Sequence, residues 1–187
     1  VEKAIRKYDL FDYDIYHFEW GLDFYRDCRF AKELFKRNKP IICTYHGQDM
    51  RTRGVIRDLN QISNLNLTSE VDLLLMHPNI EYLFLPYDTE FYKMNNKISD
   101  PIKVCHSPTN RHYKGSDDII RICNELEEQG VIQFLLVEGK SQKEVIRIKE
   151  SCDIYIDQIH NRGGWGYGMN SVESLSMGLV CMTELVE

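Results

Sequence analysis

The residues best suited to chemistry lie between 157 and 181, where a glycine-rich loop separates two apolar runs. A helix-like segment follows the loop, over residues 170–177, and Gly178 ends it. Glycines let a backbone come close to a bulky ligand, and a helix N-terminus offers unpaired N–H groups and the positive end of a dipole. The arrangement therefore predicts a site for a phosphate or diphosphate. The loop glycines are Gly163, Gly164, Gly166 and Gly168.

One acid, Glu173, falls in the first turn of this predicted helix and has two interpretations. Its carboxylate could reach a hydroxyl of a bound ligand. Alternatively, Asn170 and Glu173 have the spacing of a capping box, in which the acid turns back to the start of its own helix. The local sequence leaves both interpretations open.

Two cations, Arg111 and Lys114, follow an apolar run that ends at His106 and precede a helix predicted to start at Ser116. Cations fixed beside a helix N-terminus would neutralise a diphosphate and stabilise it as a leaving group. The alternative interpretation is a pair of solvated charges in a loop, since such short motifs often match by accident.

A histidine, His46, follows the apolar run 40–45 and precedes Gly47. At the end of a strand, an imidazole can donate a hydrogen bond to a substrate or accept a proton. A lone histidine is more often structural. Nearby, we expect Asp49 and Arg51 to pair with each other.

Segments typical of strands and helices alternate along the chain, and this predicts an α/β protein with mostly parallel sheets. Ligands in such sheets bind beyond the carboxyl ends of the strands. The polar stretch 95–100 before Pro101 indicates a boundary between residues 1–98 and 99–187. In the first part we predict strands at 14–18 and 40–45, a helix at 23–37 burying Cys28, Ala31, Leu34 and Phe35, and apolar runs at 71–76 and 82–85.

The second part repeats the alternation more regularly. We predict strands at 102–106, 132–137, 154–156 and 179–182, and helices from the cap Ser116 to Gly130, from the capping box Ser141–Glu144 to about 151, and over 170–177. The loops after its first three strands begin at Ser107, Glu138 and Asp157. Those loops would share one edge of a sheet.

Composition excludes several classes of protein. The net charge of −6 argues against a nucleic-acid partner. Six cysteines without a C-x-x-C pair indicate a reducing, cytoplasmic compartment. No apolar stretch approaches the roughly 18 residues of a membrane span. The histidines and cysteines do not have the spacing of zinc ligands, so we predict no metal. Because the chain starts at Val1 and ends directly after an apolar run, we expect a piece of a longer protein.

Five segments together resemble the retaining group 1 glycosyltransferases, which have the two-domain GT-B fold. Four occur in the family's order and approximate spacing, and the fifth resembles its acceptor-side loop. The resemblance covers most of the chain from about residue 14. The four are HSPTNRHYKGSDDII, FLLVEGKS, CDIYIDQ and GYGMNSVESLSMG, and the fifth is TYHGQDMR.

This family transfers a sugar from a nucleotide-sugar donor to an acceptor with retention of configuration, and it uses neither a metal nor a bound cofactor. The resemblance implies that His46, Arg111 and Lys114 are the catalytic residues, with His46 beside the reacting sugar and the two cations on the donor phosphates. The implied donor-binding residues are Gly139 and Lys140 near the base, Asp157 and Gln158 at the sugar, Gly168, Met169 and Asn170 at the phosphates, and Glu173 on the ribose hydroxyls.

The resemblance also implies two incomplete Rossmann-like domains. Residues 1–98 would be part of an N-terminal acceptor-side domain, and residues 99–187 a C-terminal nucleotide-sugar-binding domain without its last elements. The family's N-terminal glycine-rich loop is not in the sequence. We therefore expect little or no transferase activity from these 187 residues alone.

Two other functions stay open. Some sugar-nucleotide epimerases share this architecture, although we find no additional acid/base set for them. A non-catalytic nucleotide-binding module is favoured by Trp165, which stands where the family pattern has its first acid. The setting we expect is carbohydrate biosynthesis in the cytoplasm. The sequence does not identify the acceptor, and peripheral membrane association of a longer parent protein stays open.

Overall fold

A computed structural model describes residues 1–90, 92, 94, 98–160, 162–164 and 166–184. The chain divides into two compact units, Val1–Phe84 and Leu85–Glu187. The sequence predicted a boundary near residue 98, later in the chain than this division, and two described residues near that position contact the second unit. Tyr92 contacts its core, and the N–H of Ser99 donates to Asp153 at 3.0 Å.

The first unit contains one sheet of four parallel strands in the order β1-β2-β3-β4. Its core combines strand residues with one face of α2. The elements are α1 (Glu2–Lys7), β1 (Tyr16–Glu19), α2 (Arg29–Lys36), β2 (Ile41–Tyr45), α3 (Gln48–Thr52), α4 (Arg57–Asn60), β3 (Leu65–Thr68), a 3₁₀ helix (Val71–Leu75) and β4 (Glu81–Tyr82).

The helix predicted at 23–37 starts six residues later. The Asp23 carboxylate accepts the N–H groups of Tyr25 and Ala31 at 2.9 and 2.7 Å, and this holds a loop that enters the helix only at Arg29. Phe30 is buried and Phe35 is exposed. The prediction that Phe35 lies on the buried face was therefore wrong.

Strand β3 was missed because its polarity is inverted. Asn66 and Thr68 are the buried residues of this strand, whereas the two leucines are partly exposed. The Asn66 amide donates to the carbonyl of Asn79 at 3.3 Å, and the Thr68 hydroxyl donates to the carbonyl of Tyr45 at 3.0 Å. These hydrogen bonds offset the cost of burying polar groups.

The second unit has a parallel sheet in the order β6-β5-β7-β8, and the predicted alternation of strands and helices is confirmed. The sheet is covered by two apolar clusters of buried residues. The elements are β5 (Ile102–His106), α5 (Arg111–Lys114), α6 (Ser116–Glu128), β6 (Ile132–Leu136), α7 (Gln142–Lys149), β7 (Ile154–Gln158), α8 (Met169–Ser176) and β8 (Val180–Thr183).

The order of this sheet creates a switch point between β5 and β7. The chain leaves β5 to form β6 on one side, then crosses to form β7 and β8 on the other. Crevices at such points, beyond the carboxyl ends of the strands, are where α/β sheets bind ligands.

A buried histidine, His106, fastens three elements beneath this crevice. Its Nδ1–H donates to the carbonyl of Ile156 at 2.8 Å, so Nε2 accepts from the hydroxyl of Ser116 at 2.8 Å. Ser116 is thus not the helix cap that we predicted; the cap is Gly115, at φ +64°. A Cβ on Gly115 would lie 2.5 Å from the carbonyl oxygen of Ile159, so a larger residue does not fit there.

We expect His106 to make the protein less stable below about pH 6.5. Burial lowers the pKa of His106, and the Lys114 charge lowers it further against the opposing effects of the Ile156 carbonyl and two acids. The folded state therefore holds His106 neutral, while an unfolded chain takes up a proton near pH 6.5. Urea titrations between pH 7 and 5 should show that the free energy of unfolding decreases as the pH is lowered.

The control is a second histidine of the same unit. His106→Gln should reduce this pH dependence, whereas His112→Gln, at an exposed position, should keep it. Equal slopes in the His106→Gln variant and the parent chain would contradict the assignment.

Candidate functional site

A cavity of about 510 Å³ opens at the switch point of the second unit. Its walls come from the loops after β5 and β6, the first turn and a half of α8, and α7. Five predicted site residues line it: Gly139, Lys140, Met169, Asn170 and Glu173. The other lining residues are Ser107, Pro108, Thr109, Val137, Gln142 and Val145.

A larger cavity, of about 590 Å³, lies between α1 and α2 in the first unit. None of the predicted site residues lines it. We assign the site to the smaller cavity, because there the ends of parallel strands and a helix N-terminus converge.

Beside the cavity, Arg111 is held by a carboxylate from the neighbouring strand end. Its Nε and Nη2 donate to the two oxygens of Glu138 at 2.7 and 2.5 Å. This guanidinium pairing lowers the pKa of Glu138. Both side chains are well exposed, and exposed pairs contribute at most about 1 kcal/mol. Arg111 is therefore able to exchange Glu138 for another anion.

Lys114 is bound more firmly. Its Nζ donates to the Asp157 carboxylate and to Oε1 of Gln158 at 3.2 Å. Asp157 is fully buried, and Lys114 is 16% exposed. Two predicted donor-binding residues thus bind a predicted catalytic residue, and the charge of Lys114 is already compensated.

The same carboxylate anchors the start of α8. Asp157 accepts the N–H of Gly168 at 3.2 Å and the hydroxyl of Ser171. Burial raises the pKa of Asp157, but Lys114 and these hydrogen bonds outweigh it and lower the pKa overall. The carboxylate is therefore charged, and it fixes the position of the helix N-terminus.

The glycine loop is held by the adjacent residue. The amide of Gln158 donates to the carbonyls of Gly164 and Gly166 at 3.1 and 3.3 Å. Gly163 is also close to this side chain, since an added Cβ would lie 3.5 Å from its Oε1. Trp165, which stands at the position of the family's first acid, lies outside the described residues.

Glu173 does not turn back to cap its own helix. The helix cap is Gly168, so the capping box predicted between Asn170 and Glu173 is wrong. Instead, Glu173 Oε1 accepts from Nζ of Lys149 at 2.7 Å. Whether Glu173 binds a ribose stays a prediction.

The loop after β6 contains the two predicted base-binding residues, Gly139 and Lys140, between the strand and helix α7. Gly139 takes φ +64°, which favours glycine. The chain then enters α7 through the predicted capping box, confirmed by the hydrogen bonds of Ser141 and Glu144. Lys140 is exposed at the rim of the cavity.

His46 belongs to the first unit, at the carboxyl end of β2. Its Nε2 is 2.5 Å from Oε2 of Glu19, at the end of β1, and its backbone N–H donates to Asp49 at 3.0 Å. The predicted pairing of Asp49 with Arg51 is wrong, because Arg51 binds Asp72. The catalytic role of His46 stays a prediction.

Sequence reasoning missed Lys149, Glu19 and Ser171. Lys149 carried a signal: it lies four residues after Val145 and three after Ile146, so it falls on the apolar face of α7. Glu19 could have been found by pairing the ends of adjacent parallel strands. Ser171 had no such signal.

The described residues contain neither a metal-type cluster nor a membrane-spanning helix. Within them, no group of three or more His, Cys, Asp or Glu side chains could hold a metal ion. Nor does any helix in those ranges have the length and apolarity needed to cross a membrane.

No protein-family model matches the chain, and no curated protein matches it. Among solved structures, it is similar to HepE from Anabaena, which was crystallised in complex with UDP and glucose. The TM-score is 0.54 and the sequence identity 11%, over 96% of this chain and 61% of HepE. The chain therefore shares an α/β fold with HepE and spans about three-fifths of its length.

We predict that Asp157→Asn lowers the free energy of unfolding by about 3 kcal/mol, because it leaves Lys114 largely buried without a counter-charge. Urea titration at pH 7 measures the change. Glu138→Gln is the matched control: it breaks the exposed pair with Arg111 and should cost less than about 1 kcal/mol. Equal effects of the two substitutions would show that Asp157 is not the anchor of this site.

Proposed function

We propose that the chain is the nucleotide-sugar-binding part of a glycosyltransferase of the two-domain GT-B type. The observation that carries this proposal is the convergence of Lys140, Glu173 and the N-terminus of α8 on one cavity at a sheet switch point, with Arg111 bound to Glu138 next to it. The fold similarity to HepE supports it, since HepE was solved with UDP and glucose. The acceptor is not identified.

The diphosphate would lie against the first turn of α8. The first amides of a helix generally have no intrahelical acceptor, and the dipole favours negative charge. Met169 and Asn170 would supply backbone N–H groups, and Arg111 would exchange Glu138 for a phosphate oxygen. The chemistry would be leaving-group stabilisation by positioned donors, which requires no metal.

The sugar end of the donor would lie towards Lys114, Asp157 and Gln158. Because Asp157 and Lys114 bind each other, they act as a neutral pair that holds the start of α8. The base would lie near Gly139 and Lys140, and Glu173 would accept hydrogen bonds from the ribose. Transfer would proceed with retention in the cytoplasm.

A non-catalytic binding module is the second candidate. The compensated charge of Lys114 favours it, because a lysine committed to a buried carboxylate contributes less to a developing negative charge. Incubating UDP-glucose without acceptor, using any longer protein that contains this chain, separates the candidates. Slow release of glucose would indicate a transferase, and conversion to a different sugar would indicate an epimerase. Binding without turnover would indicate a non-catalytic binding module.

We predict that nucleoside diphosphates bind this chain and that Arg111 and Glu138 affect the affinity in opposite directions. Arg111→Ala should weaken UDP binding about tenfold, the usual loss for one charged hydrogen bond. Glu138→Gln should strengthen it, because the competing carboxylate is removed. Isothermal titration calorimetry measures both changes.

Arg121→Ala provides the control, since Arg121 pairs with Asp118 and Glu125 on the exposed side of α6. It should leave affinity unchanged. If none of the five nucleoside diphosphates UDP, GDP, ADP, CDP and dTDP bound the parent chain, the proposed function would be refuted. Binding that Arg111→Ala left intact would remove only Arg111 from the site.

A further inference from the structure

The side chain of Lys149 has no exposed surface, although lysine is rarely buried. Three groups surround its Nζ. Oε1 of Glu173 accepts from it at 2.7 Å, Oδ1 of Asn170 accepts at 2.9 Å, and the ring of Tyr155 lies beneath it at 4.3 Å from the centroid. The ammonium group is therefore held from three directions.

Both acceptors line the 510 Å³ cavity, whereas Lys149 does not. Lys149 lies behind them, at the end of α7, and contacts two residues one turn apart on α8. Any ligand that touches Glu173 or Asn170 would therefore meet side chains whose orientation depends on a lysine that it cannot reach.

We propose that Lys149 is a positioning residue of the nucleotide site, which sets the rotamers of Glu173 and Asn170 so that the Glu173 carboxylate receives the ribose hydroxyls. This inference rests on the proposed function. Stability alone accounts poorly for the lysine, because replacing a buried ion pair by apolar residues is often neutral or stabilising. A fixed carboxylate also avoids part of the entropy cost of ordering a side chain on binding.

The test compares UDP with 2′,3′-dideoxy-UDP in the parent chain, Lys149→Met, Glu173→Gln and the double variant. Calorimetry gives each affinity, and urea titration shows whether each variant is folded at the temperature used. In the parent chain, UDP should bind about tenfold more tightly than the dideoxy compound, the equivalent of one charged hydrogen bond. Lys149→Met should lose most of this preference although it cannot touch the nucleotide.

The double variant distinguishes action through Glu173 from an independent effect. If Lys149 acts through Glu173, the double variant should have the same preference as Glu173→Gln, with no further loss. Lys143→Met is the matched control, because Lys143 is an exposed lysine of the same helix. It should keep the full tenfold preference.

Each remaining outcome decides a different claim. A folded Lys149→Met variant with an undiminished preference for UDP overturns this inference alone. Failure of all five nucleoside diphosphates to bind the parent chain overturns the proposed function, and this inference with it. If Lys149→Met does not fold, Lys149→Arg is measured instead: it keeps the charge but changes the hydrogen-bond geometry. The preference should then fall, and an unchanged preference refutes the positioning role.

Discussion

The carboxylate of Asp157 lies at the carboxyl end of β7 with no exposed surface and binds groups from three parts of the second unit. It pairs with Lys114 of α5, accepts the N–H of Gly168 at the end of the glycine loop, and accepts the hydroxyl of Ser171 in α8. A carboxylate in such surroundings is stabilised only while its donors stay in place. The strand end, the loop and the helix N-terminus are thereby fixed relative to one another.

This arrangement changes the electrostatic character expected of the site. From the sequence, Arg111 and Lys114 were two cations available to a diphosphate. In the structure each has a carboxylate partner, but the two pairs differ in exposure. Exchange at Arg111 costs little because its pair with Glu138 is screened by water, whereas separating Lys114 from Asp157 would leave a buried charge unpaired. In the proposed function, an anionic ligand would therefore recruit Arg111 and the helix amides, and Lys114 would act mainly through Asp157.

The order of strands and helices in the second unit could be predicted from its sequence because most local signals agree with the tertiary packing there, although the caps predicted at Ser116 and Asn170 were wrong. The capping box at Ser141 and the apolar strands each specify one structure. The first unit was predicted less well, since hydrogen bonds between distant residues decide its details. Asp23 delays the start of α2 by binding Ala31, and Asn66 makes β3 an inward-polar strand. Propensity and periodicity carry no information about such partners.

The difference between local signals and contacts of distant residues also explains which features of the candidate site could be predicted. The strand ends predicted that the loops after β5 and β6 lie together, because parallel topology brings them to one edge, and both loops line the cavity. The partners of Glu173 and Asp157 could not be predicted, since Lys149 and Lys114 come from other elements and their pairing depends on the packed geometry.

Helix α8 shows why these pairs matter for the cavity. Its buried residues are Ser171, Glu173 and Ser174, whereas Met169 and Leu175 are exposed. A helix with so little apolar surface towards the sheet gains little from the hydrophobic effect, which is also non-directional. Hydrogen bonds and ion pairs are directional and require particular distances. Asp157 at its first turn and Lys149 beneath it therefore position the helix that forms one wall of the cavity. These contacts fix the N-terminus of the helix more closely than apolar packing alone would.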